Sequence, residues 1–158
     1  MAVEIERKFL VDHEQWAEFK QANGIQGKAF RQGYLSEGQA TVRIRIKGEK
    51  GIITVKGKTV GLSRLEFEYE IPTDDAEQML DELCAKPLVD KHRYLVEQDG
   101  LTWEVDEFHG ENQGLIVAEI ELASEDATYT KPAWITEEVS HDQRYFNVNL
   151  AKHPFSRW

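Results

Sequence analysis

Charged and apolar residues alternate one by one along several short segments of this chain. The pattern is clearest in Glu4-Ile5-Glu6-Arg7-Lys8, Arg43-Ile44-Arg45 and Glu119-Ile120-Glu121. Successive side chains of a β-strand point to opposite faces, so each segment predicts a strand with one charged face and one apolar face. The chain must therefore fold into a sheet that separates a charged surface, exposed or enclosed, from an apolar one.

Eight segments are predicted to be strands, and closely spaced turns between several of them favour antiparallel hairpins. The strands are residues 2–11, 30–36, 40–48, 52–58, 64–72, 91–98, 101–108 and 115–123. Helices are expected at 13–22, at 74–85 with cap residues Thr73-Asp74-Asp75, and around Gln143–Ala151. No segment has the composition of a linker or a repeat, so residues 1–158 are predicted to form one domain.

Composition narrows the classes of function. A net charge of −10 disfavours a partner that is a nucleic acid or an anionic membrane. The apolar content of 41% is that of a globular protein, and no apolar run approaches the roughly 20 residues that span a bilayer. The N-terminal residues do not have the layout of a signal peptide, so a cytoplasmic location is expected. A single cysteine, Cys84, cannot form an internal disulfide.

The charges on these strands are segregated by strand instead of being mixed. An ordinary antiparallel sheet with one wet face is the simplest explanation for any one strand. However, about eight strands are enough to close a barrel, which removes exposed edges and encloses one face. Like charges converging inside a barrel are costly unless a ligand completes them. We therefore predict a mainly β fold with flanking helices (α+β), an eight-stranded antiparallel β-barrel whose charged tunnel holds a polyanion and a divalent cation.

An ordered series of motifs along almost the whole chain resembles the CYTH superfamily, the triphosphate tunnel metalloenzymes. The motifs are Glu4-x-Glu6-x-Lys8, Arg31-Gln32-Gly33-Tyr34-Leu35, Val42-Arg43-Ile44-Arg45, Thr54-Val55-Lys56, Ser63-Arg64-x-Glu66-x-Glu68, Lys91-x-Arg93-Tyr94, Trp103-Glu104-Val105-Asp106-x-Phe108, Ala118-Glu119-Ile120-Glu121-Leu122 and Glu137-Glu138-Val139-Ser140-x-Asp142-x-Arg144-Tyr145-x-Asn147. The N-terminal motif and the short chain are most similar to the small bacterial inorganic triphosphatases.

The resemblance implies metal-dependent hydrolysis of a triphosphate inside a β tunnel, with Mg²⁺ or Mn²⁺ as cofactor. The expected substrate is inorganic tripolyphosphate, which would be cleaved to pyrophosphate and phosphate by in-line attack of water. Carboxylates of the first and last strands suit the oxygen preference of these metals. The predicted metal ligands are Glu4, Glu6, Glu119 and Glu121, with Glu119 either a ligand or a residue that positions water. A salt bridge to Lys8 or an arginine is the alternative role for these carboxylates.

Lysines and arginines on the same face are predicted to bind the substrate phosphates. The predicted substrate-binding residues are Lys8, Arg43, Arg45, Lys56, Arg64, Lys91 and Arg93. The residues expected to take part in catalysis are Tyr34, Glu119 and Lys91. The resemblance suggests Tyr34 as proton acceptor, with a glutamate acting on metal-activated water as the alternative. Glu66, Glu68, Glu104 and Asp106 could hold a second metal or orient the cations.

Other functions remain open at this stage. The same fold could host a class IV adenylyl cyclase, or a thiamine or nucleoside triphosphatase. A non-catalytic module that binds polyphosphate is the alternative outside enzymes, although it would need cations more than carboxylates. The expected partner is a small polyanionic triphosphate, and the protein is expected to be a monomer or homodimer.

Overall fold

The computed structural model describes residues 3–158, which form nine strands and three α-helices. The strands are β1 (Val3–Val11), β2 (Gly27–Ser36), β3 (Ala40–Lys47), β4 (Lys50–Gly57), β5 (Ser63–Ile71), β6 (Val89–Gln98), β7 (Leu101–Phe108), β8 (Ile116–Glu121) and β9 (Ile135–Glu138). The helices are α1 (His13–Ala22), α2 (Thr73–Glu82) and α3 (Asn147–Lys152), with 3₁₀ turns at Gly110–Asn112, Gln143–Tyr145 and Phe155–Arg157. The eight predicted strands are all present; residue 2 of the first lies outside the described residues.

The strands form a closed antiparallel barrel. Their order is β5-β4-β3-β2-β6-β7-β8-β1-β9, and a further pairing of β5 with β1 closes the ring. One edge of β1 pairs with β8, while its other edge is divided, with Val3–Ile5 beside β5 and Phe9–Val11 beside β9. The barrel confirms the predicted fold class. Strand β9, which the sequence did not predict, fills the place that β5 leaves along the second half of β1.

The hairpin between β6 and β7 shows how local sequence sets the register of the barrel. Gln98 pairs with Leu101, so the turn has two residues, Asp99 and Gly100. Both have positive φ, 51° and 78°, as a type I′ turn requires. The Asp-Gly pair is the sequence best suited to such a turn. It brings Arg93 of β6 opposite Asp106 of β7.

Two helices pack against the outside of the barrel and leave its charged face inside. Trp16 of α1 is 1% exposed and packs against Trp134 with ring centroids 4.9 Å apart. Ala76 and Leu80 of α2 pack in a buried cluster with Ile44 of β3. The approach of α2 requires a glycine at position 51, because a Cβ there would lie 2.8 Å from the Ala76 Cβ.

Two details of the helical and apolar predictions are wrong. Thr73 does not cap α2 with its side chain; the hydroxyl donates to the Glu49 carbonyl at 2.6 Å, and Pro72 precedes the helix. The apolar face was expected to be covered by helices, but on β5 the side chains of Leu65, Phe67 and Tyr69 are exposed. Helix α2 reaches β3 and β4 and ends before this face. No helix within residues 3–158 combines the length and hydropathy that a membrane crossing would need.

Candidate active site

The inside of the barrel is a charged cavity of about 220 Å³. Every residue predicted for metal binding, substrate binding or catalysis lines it except Lys91, which lies behind the wall. The lining residues from that set are Glu4, Glu6, Lys8, Tyr34, Arg43, Arg45, Lys56, Arg64, Arg93, Glu119 and Glu121. Glu66, Glu68, Glu104 and Lys47 also line it, together with the segment Phe146–Val148. The alternation along the strands therefore describes an enclosed lumen, not a solvated sheet face.

One wall of the lumen is built from carboxylates on neighbouring strands. Glu6 of β1 lies directly opposite Glu121 of β8, and Glu119 lies opposite Glu104 of β7. Like charges in such positions destabilise a sheet. These carboxylates are therefore stabilised either by protonation or by a bound cation.

Three carboxylates of this acidic wall have raised pKa values, because they are buried and lie near other carboxylates. Burial, with further contributions from Glu66 and Glu119, raises the pKa of Glu4 to about 6, even though Lys56 acts in the opposite direction. Burial, with Glu119 and Glu4, raises the pKa of Glu6 well above its ordinary value. Burial and the neighbouring carboxylates also raise the pKa of Glu121. A divalent cation between these groups would replace the protons.

Glu119 differs from the other carboxylates of the wall. Its side chain lies 3.3 Å from the Lys8 Nζ, which is the salt bridge that the sequence left as an alternative. Burial opposes ionisation, but Lys8, Arg93 and Lys91 together hold the pKa of Glu119 well below its usual range. Glu119 is therefore a fixed negative charge and a weak base.

The opposite wall is built from arginines on β3 and β6. Arg43 and Arg45 are each 7% exposed, and the Arg43 Nε is buried without a hydrogen-bond partner among the described residues. The guanidiniums of Arg45 and Arg93 lie 4.7 and 5.0 Å from the ring centroid of Phe30, a cation–π arrangement. Burial, with Arg43 and Arg93, lowers the pKa of Arg45 to about 9. Arg43 and Arg45 thus carry buried positive charge with no carboxylate at hydrogen-bond distance among the described residues, whereas Arg93 is paired with Glu104 and Asp106.

Lys56 and Arg64 lie where β4 and β5 meet the acidic wall. The Lys56 Nζ is 3.2 Å from Glu4 and 3.1 Å from Glu66. The Arg64 Nε donates to the carbonyl of Gly57 at 3.1 Å. Lys56 is therefore paired with carboxylates, Arg64 is held by a backbone carbonyl, and both side chains line the lumen.

Asp106 neutralises the deepest cations of the lumen. It is 1% exposed and accepts hydrogen bonds from Arg93 Nε at 2.7 Å and Nη2 at 2.8 Å. It also accepts from the Lys91 Nζ at 2.7 Å. Burial, with Arg93 and Arg45, lowers the pKa of Lys91 well below its ordinary value in spite of Asp106. Lys91 is thereby held away from the cavity surface, and Asp106 takes the structural role that the sequence left open.

The C-terminal segment closes one end of the lumen. Phe146, Asn147 and Val148 line the cavity, and the Lys8 Nζ lies 5.2 Å from the ring centroid of Phe146. Tyr34 lies near this end, where Gln32 donates a hydrogen bond to its Oη at 3.2 Å. The helix predicted around Gln143–Ala151 is present as a 3₁₀ turn, Gln143–Tyr145, followed by α3, whose first residues line this end.

Several residues of the site carry no signal in a pattern of charges. Gln32, Phe30 and Asn147 are neutral, and they are recognised only because β2 and α3 bring them beside the arginines. His109 has no metal-ligand spacing in the sequence, and His92 alternates onto the apolar face of its strand, away from Lys91 and Arg93. The structure places the His92 Nδ1 2.8 Å from the His109 Nε2, outside the lumen. Strand register alone produces that contact.

The fold and its lumen define a class of protein, a closed β-barrel with one cationic and one acidic inner wall. The CYTH domain model matches residues 2–153. An inorganic triphosphatase of Acetivibrio thermocellus is 46% identical over 100% of this chain and 99% of its own length. An inorganic triphosphatase of Nitrosomonas europaea is 37% identical over 94% of this chain and 96% of its own. The crystal structure of the inorganic triphosphatase NE1496 matches with a TM-score of 0.64 at 34% identity, covering 94% and 97% of the two chains.

The chain belongs to the CYTH domain family. The resemblance noted in the sequence is therefore confirmed. CYTH triphosphatases are generally metal-dependent.

The carboxylates of the lumen fit a hard divalent cation. Their donors are all oxygen, as Mg²⁺ and Mn²⁺ prefer. Within residues 3–158, no three His, Cys, Asp or Glu side chains are arranged to hold a metal ion by themselves. Glu4, Glu6 and Glu121 would therefore share an ion with phosphate oxygens and water, which commonly complete the coordination of Mg²⁺.

The raised pKa values predict how the metal-free protein responds to pH. A carboxyl group whose pKa is raised by folding adds stability below its ordinary pKa, and this stability is lost as pH rises through the folded value. For Glu4 the window runs from about pH 4.5 to above 6, and a 1.5-unit shift corresponds to about 2 kcal/mol. About 1 kcal/mol of this is lost between pH 5 and 7.5, so we expect the Tm in EDTA to fall by roughly 2–4 °C over that range.

Thermal denaturation at constant ionic strength measures this effect, and the Glu4→Gln variant is the control. The lowered pKa values of Glu119 and Asp106 act below pH 4.5 and leave the window unaffected. Glu4→Gln should show a flatter profile. A Tm that rises over the same range would contradict the assignment of repulsion to the acidic wall.

Proposed function

We propose that this protein hydrolyses inorganic tripolyphosphate to pyrophosphate and phosphate, with Mg²⁺ or Mn²⁺ as cofactor. The observation that carries the proposal is the pairing of two incomplete charged walls in one lumen. Buried arginines lack sufficient counter-charge on one side, and carboxylates with raised pKa values repel one another on the other. A linear polyphosphate and a divalent cation together complete both walls. The related proteins named inorganic triphosphatase support the same reaction.

The cationic wall would hold the phosphates. Arg43 has a buried Nε with no partner among the described residues, and its Nη2 donates to the Thr54 hydroxyl at 3.3 Å, with Glu68 3.9 Å away. It therefore has donors to offer to phosphate oxygens in the fork geometry that guanidinium provides. Arg45 and Arg93 are held by Phe30 in fixed orientations. Lys8, Lys56 and Arg64 line the same cavity and would contact the same chain of phosphates.

The acidic wall would hold the metal, through Glu4, Glu6 and Glu121, with Glu119 fixing Lys8. When bound, the cation neutralises phosphate charge and lowers the pKa of water. Both effects matter because phosphoryl transfer depends on positioning and charge stabilisation more than on covalent chemistry. Glu4 and Glu6 would give up their protons as the metal binds.

The reaction needs an oriented water and a place for its proton. The water oxygen forms a bond to the terminal phosphorus while the bridging P–O bond breaks, and pyrophosphate leaves with the bond's electron pair. We assign Tyr34 as the residue that accepts the proton of the attacking water. Glu119 is a weaker candidate for the proton, because its pKa is held low by Lys8. Lys91, which lies outside the cavity lining, would act by holding Asp106 and the arginine wall.

The size and lining of the cavity favour a small inorganic substrate over a nucleotide. Its volume of about 220 Å³ is below the roughly 300–1,000 Å³ of pockets for drug-sized organic ligands. The lining is dominated by ionised side chains and contains little apolar surface on which a base could stack. We further propose that the protein acts in the cytoplasm as a monomer or homodimer without nucleic-acid or membrane partners, as its net charge of −10 suggests.

A parallel turnover assay tests the proposal. Tripolyphosphate, ATP and thiamine triphosphate would be incubated with Mg²⁺, Mn²⁺ or EDTA, and both released phosphate and cyclic AMP would be measured. We expect metal-dependent phosphate release from tripolyphosphate, with the highest kcat/KM of the three substrates. Cyclic AMP from ATP would instead identify a cyclase. Tight tripolyphosphate binding without turnover in any metal would identify a non-catalytic binding module.

Arg43→Ala tests the cationic wall in the same assay. Loss of a guanidinium that binds phosphate in the ground state and the transition state should lower kcat/KM for tripolyphosphate by roughly 100-fold or more. Arg31→Ala is the matched control, because Arg31 pairs with Asp81 outside the lumen. Equal activity in both variants would contradict the proposed substrate site.

A further inference from the structure

Gln32 lies at the centre of a buried polar network between the cationic wall and Tyr34. It is 0% exposed on the lumen face of β2. Its Oε1 accepts a hydrogen bond from the Arg45 Nε at 2.7 Å. Its Nε2 donates to the Tyr34 Oη at 3.2 Å and to the Asn147 Oδ1 at 3.3 Å. The single amide thus uses its carbonyl oxygen and both N–H groups.

The orientation of this amide is determined by its neighbours. Arg45 can only donate, so the carbonyl oxygen of Gln32 must face it. The amide nitrogen then necessarily faces Tyr34 and Asn147. A flipped amide would place N–H groups against a guanidinium and leave buried donors unsatisfied, which is costly. The position of Arg45 therefore fixes the orientation of the Gln32 amide, and this orientation directs an N–H donor to the Tyr34 Oη.

Asn147 connects the same network to the C-terminal segment. It is the first residue of α3, and its Oδ1 also accepts from the Lys91 Nζ at 3.1 Å. Lys91 is 1% exposed and bonded to Asp106, so Asn147 is the point at which α3 contacts the deepest cation. Seating of α3 supplies the acceptor for both Lys91 and Gln32.

We propose that Gln32 and Asn147 form a positioning pair that couples the seating of α3 to the orientation of Tyr34, Arg45 and Lys91. The inference rests on the proposed tripolyphosphatase activity and deepens it. Neither residue is required to touch the reacting atoms. The pair holds Tyr34, at the attacking water, and Arg45, at the phosphates, in a fixed position relative to each other. The seating of α3 at the mouth of the lumen therefore also orients these two residues.

Variants that remove the hydrogen bonds but keep the side-chain size test the pair. Gln32→Met and Asn147→Leu should each lower kcat for tripolyphosphate by about 10- to 100-fold, because small misplacements of reacting groups are that costly. The double variant should lose about as much kcat as the more impaired single variant, since both changes break the same unit. Asn147→Asp keeps the acceptor oxygen and should retain kcat near the wild-type value, with KM raised by the added negative charge.

A purely structural role predicts a different outcome. In that case the Tm of each variant would fall additively while the kcat of the folded fraction stayed unchanged, and the proposal would be overturned. Multiplicative losses of kcat in the double variant would overturn it as well. Asn149→Leu is the matched control: Asn149 is in the same helix, donates to the Gln143 carbonyl at 2.8 Å and does not line the cavity. It should leave kcat unchanged.

Calorimetric titration with tripolyphosphate separates this proposal from the function on which it rests. An inactive wild-type protein would reject the proposed hydrolysis. In that event the affinity for tripolyphosphate tests the pair, because both changes should displace Arg45. The affinity should fall by about threefold in each single variant and by the same factor in the double variant. Unchanged affinity in the single variants, or a multiplicative loss in the double variant, would reject the pair. Active wild type with unimpaired single variants would reject the pair alone.

Discussion

Glu6→Gln is expected to lower kcat for metal-dependent tripolyphosphate hydrolysis by at least about 100-fold while making the metal-free protein more stable. The glutamine has the shape of glutamate but no charge, so it can neither attract a cation nor repel Glu119 and Glu4. Burial and those two neighbours raise the pKa of Glu6 well above its ordinary value. The neutral amide therefore relieves an unfavourable charge. Turnover and Tm in EDTA at pH 8 should change in opposite directions.

The opposite signs make this variant informative about the role of Glu6. A residue whose purpose is a structural salt bridge would lose stability and activity together. The matched control is Glu77→Gln on the exposed face of α2, which should leave both kcat and Tm unchanged. Retained turnover in Glu6→Gln, or a lowered Tm, would contradict its assignment to the metal-binding wall. Calorimetry with Mn²⁺ would show whether lost turnover follows lost metal affinity.

Asp106→Asn is expected to cause the largest loss of stability of any single charge removal in the lumen. Asp106 neutralises Lys91 and Arg93; the Lys91 and Asp106 side chains are nearly inaccessible to solvent, and that of Arg93 is 11% exposed. Removing one partner of a buried ion pair costs about 3–5 kcal/mol, because the remaining charge is left unpaired. For a chain of this length, that corresponds to a fall in Tm of roughly 6–20 °C.

Two further variants show whether burial is the cause. Asp142→Asn removes an aspartate–arginine pair of similar geometry on the surface, 2.7 Å from Arg144, and should cost less than about 1 kcal/mol. The double variant Asp106→Asn/Lys91→Met removes a charge from each side and should recover part of the lost Tm. Thermal denaturation followed by circular dichroism measures all three. Equal losses in Asp106→Asn and Asp142→Asn would show that the buried cluster carries no special cost.

The barrel could be predicted from the sequence because its signal is repeated in every strand. Alternation is a local property, and each of Glu4, Glu6, Arg43, Arg45 and Glu119 lies on the predicted face. The Asp-Gly turn after Gln98 fixed one register without reference to the rest of the chain. Local chemistry thus sufficed for the strands, the lumen and most of its lining.

What could not be predicted depends on depth and on contacts between distant segments. Lys91 and Arg93 have the same position in the alternating pattern, but Lys91 is sealed behind Asp106 while Arg93 reaches the cavity. Gln32 carries no charge, so the alternation of charged and apolar residues does not identify it as a residue of the site. Strand β9 is too short to show a period, and it forms because β1 has an edge that β5 leaves unpaired. The depth of Lys91, the contacts of Gln32 and the formation of β9 all depend on the register of the strands in the closed barrel.

The divided edge of β1 has a consequence for how the site comes into being. Its partners β8 and β9 follow all the arginine-bearing strands along the chain, so the acidic wall gains its second half only when the ring closes. Pairings between segments so far apart in sequence are slow to form. Until then Glu6 and Lys8 of β1 are separated from Glu121 and Glu119 of β8, the residues that they lie opposite in the closed barrel. Ring closure during folding and assembly of the charged lumen are therefore the same event.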